Sequence, residues 1–146
     1  TVLHTPGHHP EHLCLLSDSG LVAGDMVAGI GTILIPPHQG DMMTYIEQLE
    51  RLLGLDPHLL FPSHGPVIPL PHRTLEHYIR HRSIRHDKVL AAVEQGHSKL
   101  EEIAKVAYED TPDAHPSLAI DQTLSHLLSH EKDGNVRSTD GGWVRA

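Results

Sequence analysis

The sequence predicts an α/β unit over residues 1–72 followed by a mostly α unit over residues 73–146. Three observations carry that division. In the first part, short apolar runs bounded by Gly, Pro and Ser flank one stretch of helical periodicity. Beyond Pro69-Leu70-Pro71 the pattern changes to apolar stripes at helical spacing. The charge balance shifts at the same place: residues 1–72 hold one basic side chain, Arg51, against seven acids, net −6, and residues 73–146 hold ten against twelve, net −2.

In chain order, Leu13 to Leu16 and Leu21 to Ala23 are apolar runs joined by Ser17-Asp18-Ser19-Gly20, which reads as a β-hairpin with a four-residue turn. Val27 to Pro37 is glycine-rich, then apolar, and ends in Pro36-Pro37. It reads as either a strand or a loop lining a pocket. Asp41 is a good N-cap, and Met42, Tyr45, Ile46, Leu49, Leu52 and Leu53 recur at helical spacing until Gly54. Leu59-Leu60-Phe61 follows as a short buried strand. Strand, turn, helix and strand make an α/β arrangement.

Arg73 to Gln95 is one long helix with an apolar stripe of Leu75, Tyr78, Ile79, Ile84, Val89, Leu90 and Val93, ended by Gly96. Ser98 as N-cap, with Glu101 and Glu102 behind it, opens a second helix through Tyr108. A third, from about Leu118 to Lys132, packs through Ile120, Leu124, Leu127 and Leu128. Val136-Arg137-Ser138 and Trp143-Val144-Arg145 around Asp140-Gly141-Gly142 form a hairpin. Three helices and a hairpin describe a winged helix. DNA binding through the third helix is disfavoured, because its polar positions, Asp121, Gln122, Ser125, His126, Ser129, His130, Glu131 and Lys132, offer one fixed positive charge against two negatives. The basic cluster Arg73, Arg80, Arg82, Arg85 and Lys88 is either a solvated helix face or a groove wall guiding an anionic substrate.

Chemistry is concentrated in three turns. Thr5-Pro6-Gly7-His8, Gly24-Asp25 and Pro62-Ser63-His64-Gly65 each place a side chain able to ligate a metal in a Gly- or Pro-bearing turn beside an apolar run. Imidazole, carboxylate and imidazole suit Zn²⁺ or a similar borderline cation, and a carboxylate can bridge two ions. His8, Asp25 and His64 are therefore the candidate metal ligands. Most of the other histidines, among 15 in the chain, read as solvated: His58, His72, His77, His81, His97, His115 and His130 stand among polar or charged neighbours. His4 reads as hydrogen-bonded to nearby backbone.

Thr5-Pro6-Gly7-His8 followed by His12-Leu13-Cys14-Leu15, then Leu21-Val22-Ala23-Gly24-Asp25, Gly40-Asp41-Met42 and Phe61-Pro62-Ser63-His64-Gly65-Pro66, resemble the second half of a metallo-β-lactamase-fold hydrolase. The tail from about Arg73 resembles the winged-helix extension of its β-lactamase-like protein 2 branch. The resemblance implies an αββα metallo-β-lactamase fold, C-terminal half only, over residues 1–72, followed by a winged-helix domain over residues 73–146. It implies that His8 holds one metal, His64 the second, and Asp25 bridges them, with two Zn²⁺ per full-length chain and Mn²⁺ or Fe as alternatives. His12 would act in a supporting role behind the ligands or against substrate, and His9, which stands where the family usually has Thr, would compete for metal or point away. The family's upstream motif His-x-His-x-Asp-His is absent from the sequence. The chain is accordingly expected to be the C-terminal part of a longer protein and inactive by itself. For the intact protein the resemblance implies metal-assisted hydrolysis, by a hydroxide activated between the ions, of a small-molecule ester or thioester or of a phosphodiester, single-stranded RNA included. The competing class is a non-catalytic binding or scaffold module that kept the fold.

Composition bounds the rest. A length of 146 residues is enough for a core but not for a complete αββα sandwich. No apolar run approaches the ~18 residues of a membrane span. Aromatic residues make up 3% of the chain, too few for a stacking platform that would favour RNA. Cys14, the one cysteine, lies inside an apolar run and reads as a core thiol, which excludes an internal disulfide and fits a cytoplasmic protein.

Overall fold

The computed structural model describes residues 1–146. Strands β1 (Val2–His4), β2 (Leu13–Ser17) and β3 (Gly20–Gly24) form an antiparallel meander, and β4 (Leu60–Pro62) joins β3 in parallel. The period-2 alternation of strands decides what each face carries. Leu3, Cys14, Leu21 and Ala23 turn into the core. Val2, Leu15, Val22 and Phe61 are successive register partners, so one apolar row crosses all four strands on the outer face, where the first three are exposed. Ser17 pairs directly with Gly20, so the hairpin closes over Asp18-Ser19 and not over four residues. The ladder extends that far because the Ser17 hydroxyl donates to the Gly20 carbonyl at 3.1 Å.

Helix α1 (Met42–Gly54) starts where Asp41 accepts the Thr44 amide at 2.8 Å, and it lays Met42, Tyr45, Ile46, Leu49 and Leu52 on the sheet. Each such side chain contributes about 1.5–3 kcal/mol by leaving water. Residues 27–37 form no strand. The segment is nonetheless anchored, with Val27, Ala28, Ile33 and Ile35 buried.

Helix α2 (Pro71–Glu94) begins at Pro71, whose fixed φ and missing N–H suit a first helical position, and ends before Gly96 at φ +93°. It serves two cores: Leu75 and Tyr78 pack with the sheet and α1, while Val89, Ala92 and Val93 pack with Ile103, Ala107, Leu127, Val136 and Trp143. Between them the expected stripe fails, because Ile84 is exposed and Arg82 and Arg85 are only 3% exposed. Arg82 donates to Gln122 Oε1 at 3.1 Å, to Thr32 Oγ1 at 3.2 Å and to the Ile33 carbonyl. Arg85 donates to the Ala107 carbonyl, to Asp110 at 2.9 Å and to Thr111 at 3.0 Å, and it lies 4.0 Å over the Tyr108 ring. At these two positions the basic cluster is neither a solvated face nor a groove wall. Guanidinium forks here satisfy backbone carbonyls at the ends of other segments, a use that hydropathy does not register.

Helix α3 (Leu100–Ala107) is preceded by Lys99, and no side chain caps it. Ser98 is not its N-cap; its carbonyl instead accepts the Trp143 amide at 2.8 Å. Helix α4 (Pro116–Lys132) leads into the antiparallel pair β5 (Val136–Thr139) and β6 (Gly142–Arg145). Its buried face is mostly polar: Gln122, Thr123, Ser125, His126, Ser129 and His130 are buried with Leu127, while Ile120, Leu124 and Leu128 are half-buried. His130 is therefore not solvated. Its ring stacks on His86 with centroids 3.6 Å apart, and His86 Nδ1 meets His126 Nδ1 at 3.1 Å. No helix of the chain is long and apolar enough to cross a membrane.

Candidate metal centre

His8 lies in the turn after β1, where Gly7 adopts φ +134° and passes so close to α1 that a Cβ would stand 2.4 Å from Tyr45 Cα. The Asp41 amide donates to the Gly7 carbonyl at 2.8 Å and ties this turn to the helix start. His8 Nδ1 sits 2.7 Å from the Leu34 carbonyl. A carbonyl only accepts, so Nδ1 carries the proton and Nε2 presents its lone pair. That lone pair faces Asp25, with Nε2 3.8 Å from Oδ2.

Asp25 follows β3 through Gly24, whose φ of +54° ends the strand, and the Ser63 amide donates to the Gly24 carbonyl at 3.0 Å. Because β4 runs parallel to β3, both strands deliver their following residues to the same edge of the sheet. His64 Nε2 thus arrives 3.3 Å from Asp25 Oδ1. The His64 carbonyl accepts the Gly29 amide at 2.8 Å, although its ring remains largely exposed.

His12 lies behind the carboxylate. Its Nε2 accepts the Asp25 backbone amide at 3.0 Å, which assigns the proton to Nδ1 and lets it donate to Thr5 Oγ1 at 2.9 Å. The Thr5 hydroxyl reaches Cys14 Sγ at 3.3 Å, and the thiol reaches the Ala23 carbonyl at 3.5 Å. Burial, then the neighbouring His8 ring, holds the His12 pKa below its ordinary value. A neutral ring is what accepting from a backbone N–H requires.

The structure therefore brings His8, Asp25 and His64 together and places His12 beneath them. His9 is exposed and accepts the Glu11 amide at 3.2 Å, pointing away from the cluster. His4 makes a 2.7 Å contact with the Pro10 carbonyl. Two features bear on whether a cation fits. Asp25 Oδ1 is buried and has no hydrogen-bond partner, a costly state that an ion relieves. Two ligands at ~2.1 Å from one tetrahedral ion stand about 3.4 Å apart, and the observed nitrogen–oxygen separations of 3.3 and 3.8 Å bracket that value. The donor set fits a borderline divalent cation, although no group of three or more His, Cys, Asp or Glu side chains in the chain closes into a complete site. Sequence reasoning missed the Leu34 carbonyl, since a backbone acceptor has no residue signature. It also missed Thr5, which stands inside the motif that drew attention to His8.

The model of the metallo-beta-lactamase superfamily matches residues 1–64. The chain is 35% identical to the beta-lactamase-like protein 2 homologue of Drosophila melanogaster over 140 residues, 93% of this chain and 47% of the relative. Its first 64 residues are thus similar to the metallo-beta-lactamase superfamily. A lactamase-like protein of Neosartorya fischeri is 34% identical to this chain over 85% of it and 41% of its own length. A crystal structure of a metallo-beta-lactamase family protein from Thermus thermophilus superposes with TM-score 0.78 at 22% identity, covering 99% of this chain and 48% of that one, which shows a shared fold. The chain spans about half the length of the curated relatives it matches.

Proposed function

We propose that residues 1–72 are the C-terminal half of a metallo-β-lactamase-fold catalytic domain, that residues 73–146 are a winged helix packed against it, and that the full-length protein hydrolyses an ester, thioester or phosphodiester. Asp25 carries the reading: a half-buried carboxylate whose buried Oδ1 lacks a hydrogen-bond partner, with an imidazole facing each oxygen. His8 and His64 would each hold one cation, Zn²⁺ foremost and Mn²⁺ or Fe as alternatives, with Asp25 spanning both. Such ions supply Lewis acidity toward the carbonyl or phosphoryl group being cleaved. This chain's residues set the stage for that: the Leu34 carbonyl keeps the His8 Nε2 lone pair turned toward Asp25, and His12 grips the Asp25 backbone. The buried polar face of α4 disfavours DNA as its partner, leaving a small-molecule ester or thioester, or single-stranded RNA, as substrate. The buried, unpaired Cys14 is in keeping with the cytoplasm.

With one terminal ligand per ion the chain alone should bind metal weakly and hydrolyse neither generic esters nor bis-phosphodiesters. Cobalt titration of the chain, read by its visible absorption, tests the site. We expect a signal in the parent that His8→Ala, Asp25→Ala and His64→Ala each remove. Equal signals in the parent and Asp25→Ala would overturn the assignment.

A further inference from the structure

The peptide unit joining Leu34 to Ile35 is gripped from both sides. Its carbonyl, on Leu34, accepts the His8 Nδ1 proton at 2.7 Å. Its amide, on Ile35, donates to Gln122 Oε1 at 3.1 Å. In a planar trans peptide these two groups point in opposite directions, so fixing the amide aims the carbonyl. The Gln122 side chain is held in turn. Oε1 also accepts from Arg82 Nη1 at 3.1 Å, which assigns the oxygen end of the amide, and Nε2 donates to the Ile35 carbonyl at 3.0 Å. Ser125 Oγ donates to the same Ile35 carbonyl at 2.6 Å. Ile35 is wholly buried in a segment with no strand partner, and Gln122 and Ser125 supply the pairing a neighbouring strand would have given.

The geometry points to Gln122 and Ser125 of α4 as positioning residues for His8: they set the tautomer and aim of this ligand through the Leu34–Ile35 peptide. The inference rests on the metal reading of His8, Asp25 and His64, and it gives α4 a role in metal binding although no residue of that helix touches the site. Outer hydrogen bonds of this kind typically change metal affinity by about 10–100-fold.

The test is ¹⁵N-resolved NMR of the His8 ring at pH 8 in the whole chain. We expect the Nδ1–H form in the parent, and in Gln122→Met a shift toward Nε2–H together with zinc binding weakened tenfold or more. Ser125→Ala should move both readouts in the same direction by less, which keeps the test decisive if Gln122→Met fails to fold. Thr123→Val is the control, since this neighbour is buried but bonds only to the Ala119 carbonyl, at 2.7 Å; it should leave the His8 ring unchanged. An unchanged tautomer in Gln122→Met or Ser125→Ala, or the same change in Thr123→Val, would overturn the positioning role. Absence of any zinc effect on the parent His8 Nε2 signal would instead sink the metal reading while leaving the peptide grip intact.

Discussion

Acid should loosen the contact between α2 and α4 before it affects the sheet. His86, His126 and His130 meet there, facing Asp87, Asp133, Arg82, Arg85 and Arg145. Burial, followed by the charge of His130, takes the His86 pKa down to about 4. Burial, followed by His86, takes His126 well below its usual value, and burial lowers His130. A lowered histidine pKa means that the folded chain resists a proton that the unfolded chain accepts near pH 6.5. Stability is therefore whole above that value and falls as the pH drops toward 4. At pH 5 a fully shielded histidine costs about 2 kcal/mol relative to neutral pH. His126 is enclosed and loses that amount; half-exposed His86 loses about 1 kcal/mol after solvent screening. Urea unfolding followed by Trp143, which is buried in the second core, should thus lose about 3 kcal/mol between pH 7.5 and pH 5. His12 and His81 shift in the same direction, so the decisive comparison is His126→Met. That variant should recover about 2 kcal/mol of the loss. A drop below about 1 kcal/mol in the parent, or an equal drop in His126→Met, would refute the reasoning.

Two further perturbations probe the links between the halves and the site. Arg82→Met should cost about 3 kcal/mol by leaving the Ile33 carbonyl without its donor, whereas Arg80→Ala on the exposed face should stay within about 0.5 kcal/mol; equal costs in urea unfolding would contradict the buried role. Gly24→Ala would put a Cβ 2.6 Å from His12 Nε2 at φ +54°, straining the backbone by about 1–2 kcal/mol and pushing the imidazole off the Asp25 amide. Hydrogen exchange at that amide should accelerate, and unchanged protection would argue against the His12 contact.

What could be read in advance follows from which residues announce their surroundings. Asp41 and the spacing from Met42 to Leu52 describe α1 because a cap and an apolar stripe are local. His8, Asp25 and His64 could be picked out because each stands in a turn beside a strand, and parallel pairing of β3 with β4 does the rest. The hairpin loop was overcounted because Ser17 and Gly20 look like turn residues and are ladder residues. His130 reads as solvated, and Arg82 and Arg85 as a solvated face or a groove wall, because polarity along a helix normally marks the wet face. Here the buried face of α4 is polar, matched to backbone groups of a loop 87 residues earlier, and sequence periodicity cannot reveal a partner so distant.

The grip on the Leu34–Ile35 peptide has a consequence for the order in which the molecule matures. Chain closure over 87 residues is a late event, since long loops are entropically slow to shut. The meander β1–β3 can form from neighbours alone. The orientation of His8 waits for Gln122 to be synthesised, folded into α4 and docked. Because that grip closes only when α4 docks, an ion arriving before then would meet a His8 imidazole still free to turn.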